Sequence, residues 1–155
     1  MNNNFMKAMV FVKKWEGVFS DDSFDPGGKT KYGISDAGDG TIDGLVDGNI
    51  KVEELTLEQA LQIYYDRYWL AVGADTQPLD WAVAMFDAAV NCGVYRAKDW
   101  AKNCDDTREY NERRRAYYYR LVVGNRKFGK YIHGWLNRLV DLNKYCDILK
   151  GGDAH

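Results

Sequence analysis

The sequence predicts a mainly α-helical protein with a small loop-and-hairpin lobe after its first helix. Apolar residues near the N-terminus recur at helical spacing, at Phe5, Met9 and Val12. Thr56 and Gln59 form a capping-box pattern at the start of a second apolar stripe. The sequence has no long alternation of apolar and polar residues, the pattern that would indicate a large sheet.

The first predicted helix ends at a glutamate that faces inward. Extending the 3.6-residue period of Phe5, Met9 and Val12 brings Glu16 onto the same face, directly before Gly17 interrupts the helix. A solvated glutamate is expected on the opposite face, so Glu16 is a candidate functional residue. The alternative is a buried glutamate paired with an arginine, because structural ion pairs also bury carboxylates.

Residues 17–55 are rich in glycine and aspartate and predict the loop-and-hairpin lobe. Residues 25–28 read Asp-Pro-Gly-Gly, which is a turn signal, and residues 30–35 favour a short strand. Residues 43–54 have the length of a calcium-binding loop, but Leu45 stands where the third position needs an oxygen ligand. We interpret that segment as a degenerate site or a plain loop.

Four further helices are predicted along the rest of the sequence. The capping box opens the first, whose apolar positions between residues 57 and 69 share one face. The others run from about residue 79 to 91, from a cap at 106–109 to about 124, and from about 131 to 149.

Composition and charge exclude several classes of function. A net charge of −2 gives no general reason to bind nucleic acid. The apolar run over residues 5–15 is short, contains three lysines and lacks a small-residue cleavage site, so it predicts neither a membrane span nor a signal peptide. The three cysteines form neither a disulfide framework nor a metal pattern, which favours reduced thiols in a reducing cytoplasm.

The start of the lobe combines residue types that glycoside hydrolysis uses. That reaction typically needs one protonated carboxyl group, which donates to the leaving oxygen, and one ionised carboxylate. Glu16 is the candidate acid because burial against apolar groups keeps a carboxyl protonated. Asp25 is the candidate second carboxylate, and Thr30 the residue whose hydroxyl holds the water. The alternatives are an Asx-type turn for Asp25 and a strand position without a role for Thr30.

The same stretch resembles the signature of glycoside hydrolase family 108. The residues that carry the resemblance are Glu16-Gly17, Phe19, Asp25-Pro26-Gly27-Gly28, Thr30 and Gly33-Ile34. Looser similarity continues through YYDRYW at residues 64–69, Phe86-Asp87, Asn91, Gly93, Gly134-Trp135-Leu136 and Arg138. One departure is Val18, which stands where the family usually has a second glycine after the glutamate, and a branched residue there restricts the loop.

The resemblance implies a lysozyme-like, mostly helical fold in one domain over residues 1–155. Residues from about 1 to 75 would form the catalytic half, and those from about 76 to 150 a helical, peptidoglycan-binding-like half. It implies an N-acetylmuramidase that cleaves the β-1,4 bond between N-acetylmuramic acid and N-acetylglucosamine. Glu16 would be the acid, and Asp25 and Thr30 follow the Glu–Asp–Thr order of phage-type lysozymes. Neither a cofactor nor a metal is expected.

Three further residues are candidates for substrate binding. Tyr32 would line the cleft, and Asn91 and Trp135 would contact glycan or peptide stem. The alternative for all three is packing inside the protein, which aromatic residues beside glycines and residues on helices commonly show.

The expected partner is the glycan strand of peptidoglycan, bound by a monomer. Residues 20–60 carry ten acids against three bases, whereas residues 108–138 carry nine bases against two acids. The basic region is a candidate surface for anionic envelope lipids. Its consecutive arginines and tyrosines also suggest nucleic acid, but on a helix the tyrosines spread over several faces and the arginines balance the acidic lobe, so we expect none.

The expected setting is that of a phage endolysin. Such a protein is made in the host cytoplasm without a signal peptide and reaches periplasmic peptidoglycan after holin-type release. A prophage or secretion-associated origin is equally compatible with the sequence. Two other functions stay open, namely a lytic transglycosylase, which needs only the acid, and a non-catalytic peptidoglycan-binding or secretion-assisting module.

Overall fold

A computed structural model describes residues 1–17, 24–25, 30–35, 41–42 and 50–152 of the chain. Over these residues the protein is mainly helical, which confirms the predicted mainly α, lysozyme-like class. The described helices are α1 (Asn3–Glu16), α2 (Leu57–Tyr64), α3 (Leu79–Cys92), α4 (Val94–Ala101), α5 (Thr107–Gly124) and α6 (Ile132–Gly152). A π-helical segment (Tyr65–Leu70) follows α2, and 3₁₀ turns lie at Val52–Glu54, Ala74–Thr76 and Arg126–Lys130.

Helix α1 ends where its sequence predicts. At its start, the Asn2 side chain accepts a hydrogen bond from the Phe5 amide at 2.9 Å. At its end, Gly17 adopts a left-handed conformation with φ of 67° and donates its amide to the Lys13 carbonyl at 3.1 Å. Glycine adopts this conformation without steric strain because it has no Cβ. The helix therefore stops directly after Glu16.

The lobe after α1 consists of short antiparallel strands. Strands β1 (Phe24–Asp25), β2 (Thr30–Lys31) and β3 (Ile34–Ser35) form one sheet in that order, and β4 (Thr41–Ile42) pairs with β5 (Ile50–Lys51). The predicted hairpin lobe is therefore present.

The expectation of one strand over residues 30–35 is wrong. Tyr32 and Gly33 have φ of 51° and 76°, and they form a two-residue turn between β2 and β3. Two consecutive positive φ values match the twist of a tight hairpin, which is why the chain reverses there. The predicted turn after Asp25 lies outside the described residues. Of the calcium-like segment 43–54, residues 43–49 also lie outside them.

Helix α2 begins with the predicted capping box. The Gln59 amide donates to Thr56 Oγ1 at 3.1 Å, and the Thr56 amide donates to Gln59 Oε1 at 2.9 Å. The apolar face continues into the π-helical segment, where Trp69 is buried. Its ring meets those of Phe5 and Phe86 edge to face, with centroids 5.7 and 5.6 Å away. These contacts join α1, α3 and the segment after α2 in one core.

The sequence pattern does not predict α4. Gly93 ends α3 with φ of 95°, and α4 begins at the next residue. Helix α4 has only eight residues, which are too few to show a recognisable helical period. Its buried residues are Ala97 and Trp100. The predicted bounds of α3, α5 and α6 differ from the observed ones by a few residues at most.

Helix α3 occupies the centre of the described structure. It packs against α1, α4, α5 and α6, and its residues are buried on every face. Most of these are alanines, valines and other apolar residues, but Asp87 is also completely buried. Because Asp87 lies where several helices meet, groups on the surrounding helices must compensate its charge. None of the described helices has the length and apolar character needed to cross a membrane.

We expect Gly17→Ala to lower the free energy of unfolding by about 1 kcal/mol, because alanine is strained in the left-handed conformation. A Cβ at Gly17 would meet nothing within 4 Å, so the backbone alone determines the effect. Gly134→Ala is the matched control, since this site is equally open and lies within α6. There alanine favours the helix, and we expect a gain of up to about 1 kcal/mol. Urea unfolding followed by circular dichroism measures both, and a change of the same sign in both variants would contradict this account.

Candidate functional site

Glu16 and Asp87 are linked by one arginine. Arg138 of α6 donates from Nη1 to Glu16 Oε1 at 3.1 Å. The remaining side of its guanidinium faces Asp87, with Nη2 at 2.6 Å from Oδ1 and Nε at 3.1 Å from Oδ2. The Glu16 side chain is 27% exposed, whereas that of Asp87 is fully buried. Arg138 therefore joins a carboxyl group near the surface to one in the core.

Asp87 also binds a second arginine. Arg114 of α5 donates from Nη1 to Asp87 Oδ2 at 2.8 Å, and neither side chain is exposed. Burial by itself would raise the pKa of the Asp87 carboxyl, but the charges and hydrogen bonds of Arg138 and Arg114 outweigh burial and hold that pKa below its usual range. Asp87 is therefore a carboxylate shared by two guanidinium groups. We call Glu16, Arg138, Asp87 and Arg114 the charge network.

The buried end of the charge network is held by neutral groups. Arg114 donates from Nε to the Tyr118 hydroxyl at 2.8 Å and from Nη2 to Asn91 Oδ1 at 3.1 Å. The Tyr118 hydroxyl itself donates to Asn91 Oδ1. The side-chain oxygen of Asn91 thus points into the charge network. This is a packing position inside the protein, which was the alternative to substrate contact. A role for Asn91 toward substrate stays a prediction.

The end of α1 is also attached to α6 beside Arg138. Trp15 Nε1 donates to Asp141 Oδ2 at 2.7 Å, and Lys14 Nζ lies 2.7 Å from the same oxygen. Asp141 lies one turn after Arg138 on α6. Trp15 therefore contacts one turn of α6, and the next residue, Glu16, contacts the turn before it. These contacts hold the end of α1 against α6 beside Arg138.

Tyr64 connects the neighbourhood of Glu16 to the lobe. Its hydroxyl donates to the Tyr32 carbonyl at 3.0 Å, in the turn between β2 and β3. Burial raises the pKa of Tyr64, and the negative charge of Glu16 raises it further. Tyr32, predicted to line the cleft, is only 5% exposed and belongs to the hydrophobic core. The Tyr32 carbonyl thus accepts the hydrogen bond of Tyr64. Contact of the Tyr32 ring with substrate stays a prediction.

Asp25 and Thr30 are cross-strand partners in the sheet formed by β1 and β2. Thr30 is half-buried, and the Asp25 side chain lies outside the described part of the structure. The structure therefore places the two backbones together, and their roles stay predictions.

Trp135 lies in a row of aromatic rings one turn before Arg138. It stacks on Tyr118 with ring centroids 4.9 Å apart, and on Tyr131 with centroids 5.7 Å apart. Trp135 is half-buried, whereas Tyr131 is 47% exposed. The row therefore extends from the charge network to the surface.

The arrangement leaves Glu16 able to act on a ligand. Among the described residues, Arg138 is the hydrogen-bond partner of the Glu16 carboxyl, and it contacts only Oε1. The Glu16 side chain as a whole is 27% exposed. No group of three or more side chains able to ligate a metal occurs in the described ranges.

Arg138, Asp87 and Arg114 were missed as site residues by the sequence analysis. Asp87 and Arg138 lie in segments that resemble the family but had no role assigned, and Arg114 lay in a run interpreted as surface. One available signal is an aspartate in the middle of an apolar helix, because an acid there needs a buried partner. Its partners lie 27 and 51 residues away along the chain, so only the fold identifies them.

We expect Asp87→Asn to lower the free energy of unfolding by about 3–5 kcal/mol, because it removes the carboxylate that two buried guanidinium groups share. Asp141→Asn is the matched control, since its pair with Lys14 is partly exposed and worth about 1 kcal/mol or less. Urea unfolding at neutral pH measures both. Equal small losses would show that the buried pairs do not stabilise the fold.

The stability of the protein should also fall in acid through Asp87. Its pKa is lowered in the folded state, so the unfolded chain takes up the proton first. The stabilisation is therefore complete above the unfolded pKa of about 3.9 and is lost as the pH falls through the folded pKa. We expect the free energy of unfolding to fall more steeply below about pH 4 in the parent than in Asp87→Asn. Parallel curves from urea titrations would contradict this assignment.

The chain matches the family described as Glycosyl hydrolase 108 over residues 9–93, which is more than half of its length. No curated protein and no solved structure matches it. The matched segment includes Glu16, Asp25, Thr30 and Asp87, and it ends before Arg114 and Arg138. The chain belongs to glycosyl hydrolase family 108 and is a glycoside hydrolase.

Proposed function

We propose that this glycoside hydrolase is an N-acetylmuramidase, which hydrolyses the β-1,4 bond between N-acetylmuramic acid and N-acetylglucosamine in peptidoglycan. Glu16 is the general acid that protonates the leaving oxygen. The observation that supports this role is the position of its carboxyl group, which is partly exposed at the end of α1 and held through one oxygen by Arg138. The segment matched to the family includes this residue.

In the free protein the Glu16 side chain is 27% exposed and paired with a guanidinium, so it is not buried against apolar groups as the sequence predicts. In the proposed mechanism, a bound glycan covers the exposed edge of Glu16 and excludes water. Exclusion of water favours the neutral acid at the moment when it is required.

The second half of the reaction is assigned to the sheet of the lobe. Asp25 acts as base or electrostatic partner, and the hydroxyl of Thr30 positions the attacking water. Their pairing across β1 and β2 supports a common role. The distance between the two carboxyl groups decides the stereochemistry, since about 6.5–9.5 Å suits inversion and about 5–5.5 Å suits retention. The anomer released at first turnover, read by proton NMR, distinguishes the two.

Three residues, on α6, on α3 and in the turn between β2 and β3, are proposed to hold the glycan. Trp135 is half-buried beside the network and can contact a sugar ring or peptide stem, and Tyr32 and Asn91 complete the proposed binding set. The basic region over residues 108–138 would meet anionic envelope lipids. We further propose a monomeric endolysin of phage or prophage origin, released to the periplasm by a holin-type pore.

Glu16→Gln should reduce hydrolysis by about 10²–10⁴-fold, because the amide keeps the shape of the side chain and cannot donate the proton. The measurement is the release of reducing ends from purified peptidoglycan, with turbidity loss of outer-membrane-permeabilised Gram-negative cells as a second assay. Glu58→Gln is the matched control, since Glu58 is exposed on α2 and should leave the rate unchanged. Circular dichroism first shows that each variant is folded.

The outcomes of this experiment separate the proposed functions. Full activity of Glu16→Gln would remove Glu16 from the mechanism. A parent that binds peptidoglycan without releasing reducing ends would be the non-catalytic binding module. Products ending in 1,6-anhydro sugars, identified by mass spectrometry, would make the protein a lytic transglycosylase.

A further inference from the structure

We propose that Asp87 and Arg114 are positioning residues of the active site, which control the orientation and the proton of Glu16 through Arg138. This inference rests on the proposed role of Glu16 as the acid. Neither residue reaches the reacting atoms, because both side chains are fully buried. They act by fixing the one group that binds Glu16.

The first step concerns the plane of the Arg138 guanidinium. Its Nη2 and Nε bind the two oxygens of Asp87 at 2.6 and 3.1 Å, as a fork that matches the carboxylate. This fork leaves Nη1 for Glu16, at 3.1 Å. Because the guanidinium is rigid and planar, the direction of Nη1 is determined by Asp87 rather than by Glu16.

The second step concerns what fixes Asp87. Its Oδ2 accepts from Arg114 as well as from Arg138, and the remaining Arg114 donors bind Tyr118 and Asn91. Every described member beyond Arg138 lies on the helices α3 and α5. Contacts with the packed helices at the centre of the protein, and not contacts with the lobe, therefore fix the orientation of Glu16.

The third step concerns charge. Two guanidinium groups face two carboxyl groups, so the network is neutral when Glu16 is ionised and carries one positive charge when Glu16 is protonated. Asp87 offsets much of the charge that Arg138 presents to Glu16. Without Asp87, that charge would act on Glu16 alone and would favour its carboxylate form. Asp87 and Arg138 therefore affect the proton of Glu16 in opposite directions.

The other described groups around Glu16 do not change the opposing effects of Asp87 and Arg138. Tyr64 faces it from α2, and because its pKa is raised it stays neutral at working pH. Asp141 of α6 is paired with Lys14, which removes both charges from direct action on Glu16. Lys13 also lies in the last turn of α1. None of these is changed in the variants below, so the variants isolate the charge network.

The test is the titration of the Glu16 carboxyl, followed by carbon-13 NMR of protein labelled at glutamate and assigned with Glu16→Gln. Asp87→Asn should move the midpoint to lower pH and Arg138→Gln should move it to higher pH, each by about 1 pH unit. The alkaline limb of the pH–activity profile should move in the same directions. If Asp87 acts through Arg138, the double variant Asp87→Asn/Arg138→Gln should titrate like Arg138→Gln alone.

A second Asp87 variant covers the case in which Asp87→Asn does not fold. Asp87→Asn with Arg114→Gln removes a buried anion and a buried cation together, so no guanidinium is left without a partner. Arg138 then belongs to Glu16 alone, and the midpoint should again fall. Should neither fold, Arg138→Gln decides, since a raised midpoint supports the proposal and an unchanged one overturns it.

Arg113→Gln is the matched control for a purely structural arginine. Arg113 is the neighbour of Arg114 on α5, and it donates to the carbonyls of Trp100, Lys102 and Asn103 at 2.6–2.8 Å. Its loss should lower stability without moving the Glu16 midpoint. If Asp87→Asn behaves in the same way, Asp87 is only structural and the proposal is overturned.

The two readouts separate this inference from the proposed function. The Glu16 midpoints could move as expected while the protein releases no reducing ends. That result would reject the muramidase proposal and support the positioning role of the charge network. An active parent whose Glu16 midpoint is the same in every variant would keep the muramidase and reject the positioning role.

Discussion

The carboxylate of Asp87, buried between two guanidinium groups, constrains how the helices around it can pack. Taking such a charge out of water costs several kcal/mol unless it is paired and hydrogen-bonded. Helix α3 can therefore carry Asp87 at its centre only if α5 and α6 bring Arg114 and Arg138 to it. Apolar side chains alone would tolerate small rotations of these helices, whereas these hydrogen bonds require one register.

The same constraint extends to the end of α1. Arg138 binds Glu16 with the donor that Asp87 leaves available, and Asp141 binds Trp15 one turn further along α6. Gly17 then ends the helix, so the glutamate is the last residue supported by the helical core before the chain enters the lobe. The packed helices therefore support Glu16 on one side, while its side chain stays 27% exposed.

The lobe is connected to this core through the turn between β2 and β3. The Tyr64 hydroxyl holds the carbonyl of Tyr32, and that residue turns the chain between the strands that carry Thr30 and Ile34. The same turn is anchored by the burial of Tyr32 and Ile34 in the hydrophobic core, and Lys31 Nζ donates to the Glu53 carbonyl at 3.0 Å.

The sequence alone determined the features that depend on neighbouring residues. The period of Phe5, Met9 and Val12 placed Glu16 on the inner face of α1, and the Thr56–Gln59 pattern located the start of α2, because helix faces and caps form within one or two turns. The tertiary structure decided the partners of Asp87, the burial of Tyr32 and the pairing of Glu16 with Arg138, 122 residues away. No local pattern encodes such contacts, since they form only when helices distant in the chain pack around the same buried charge.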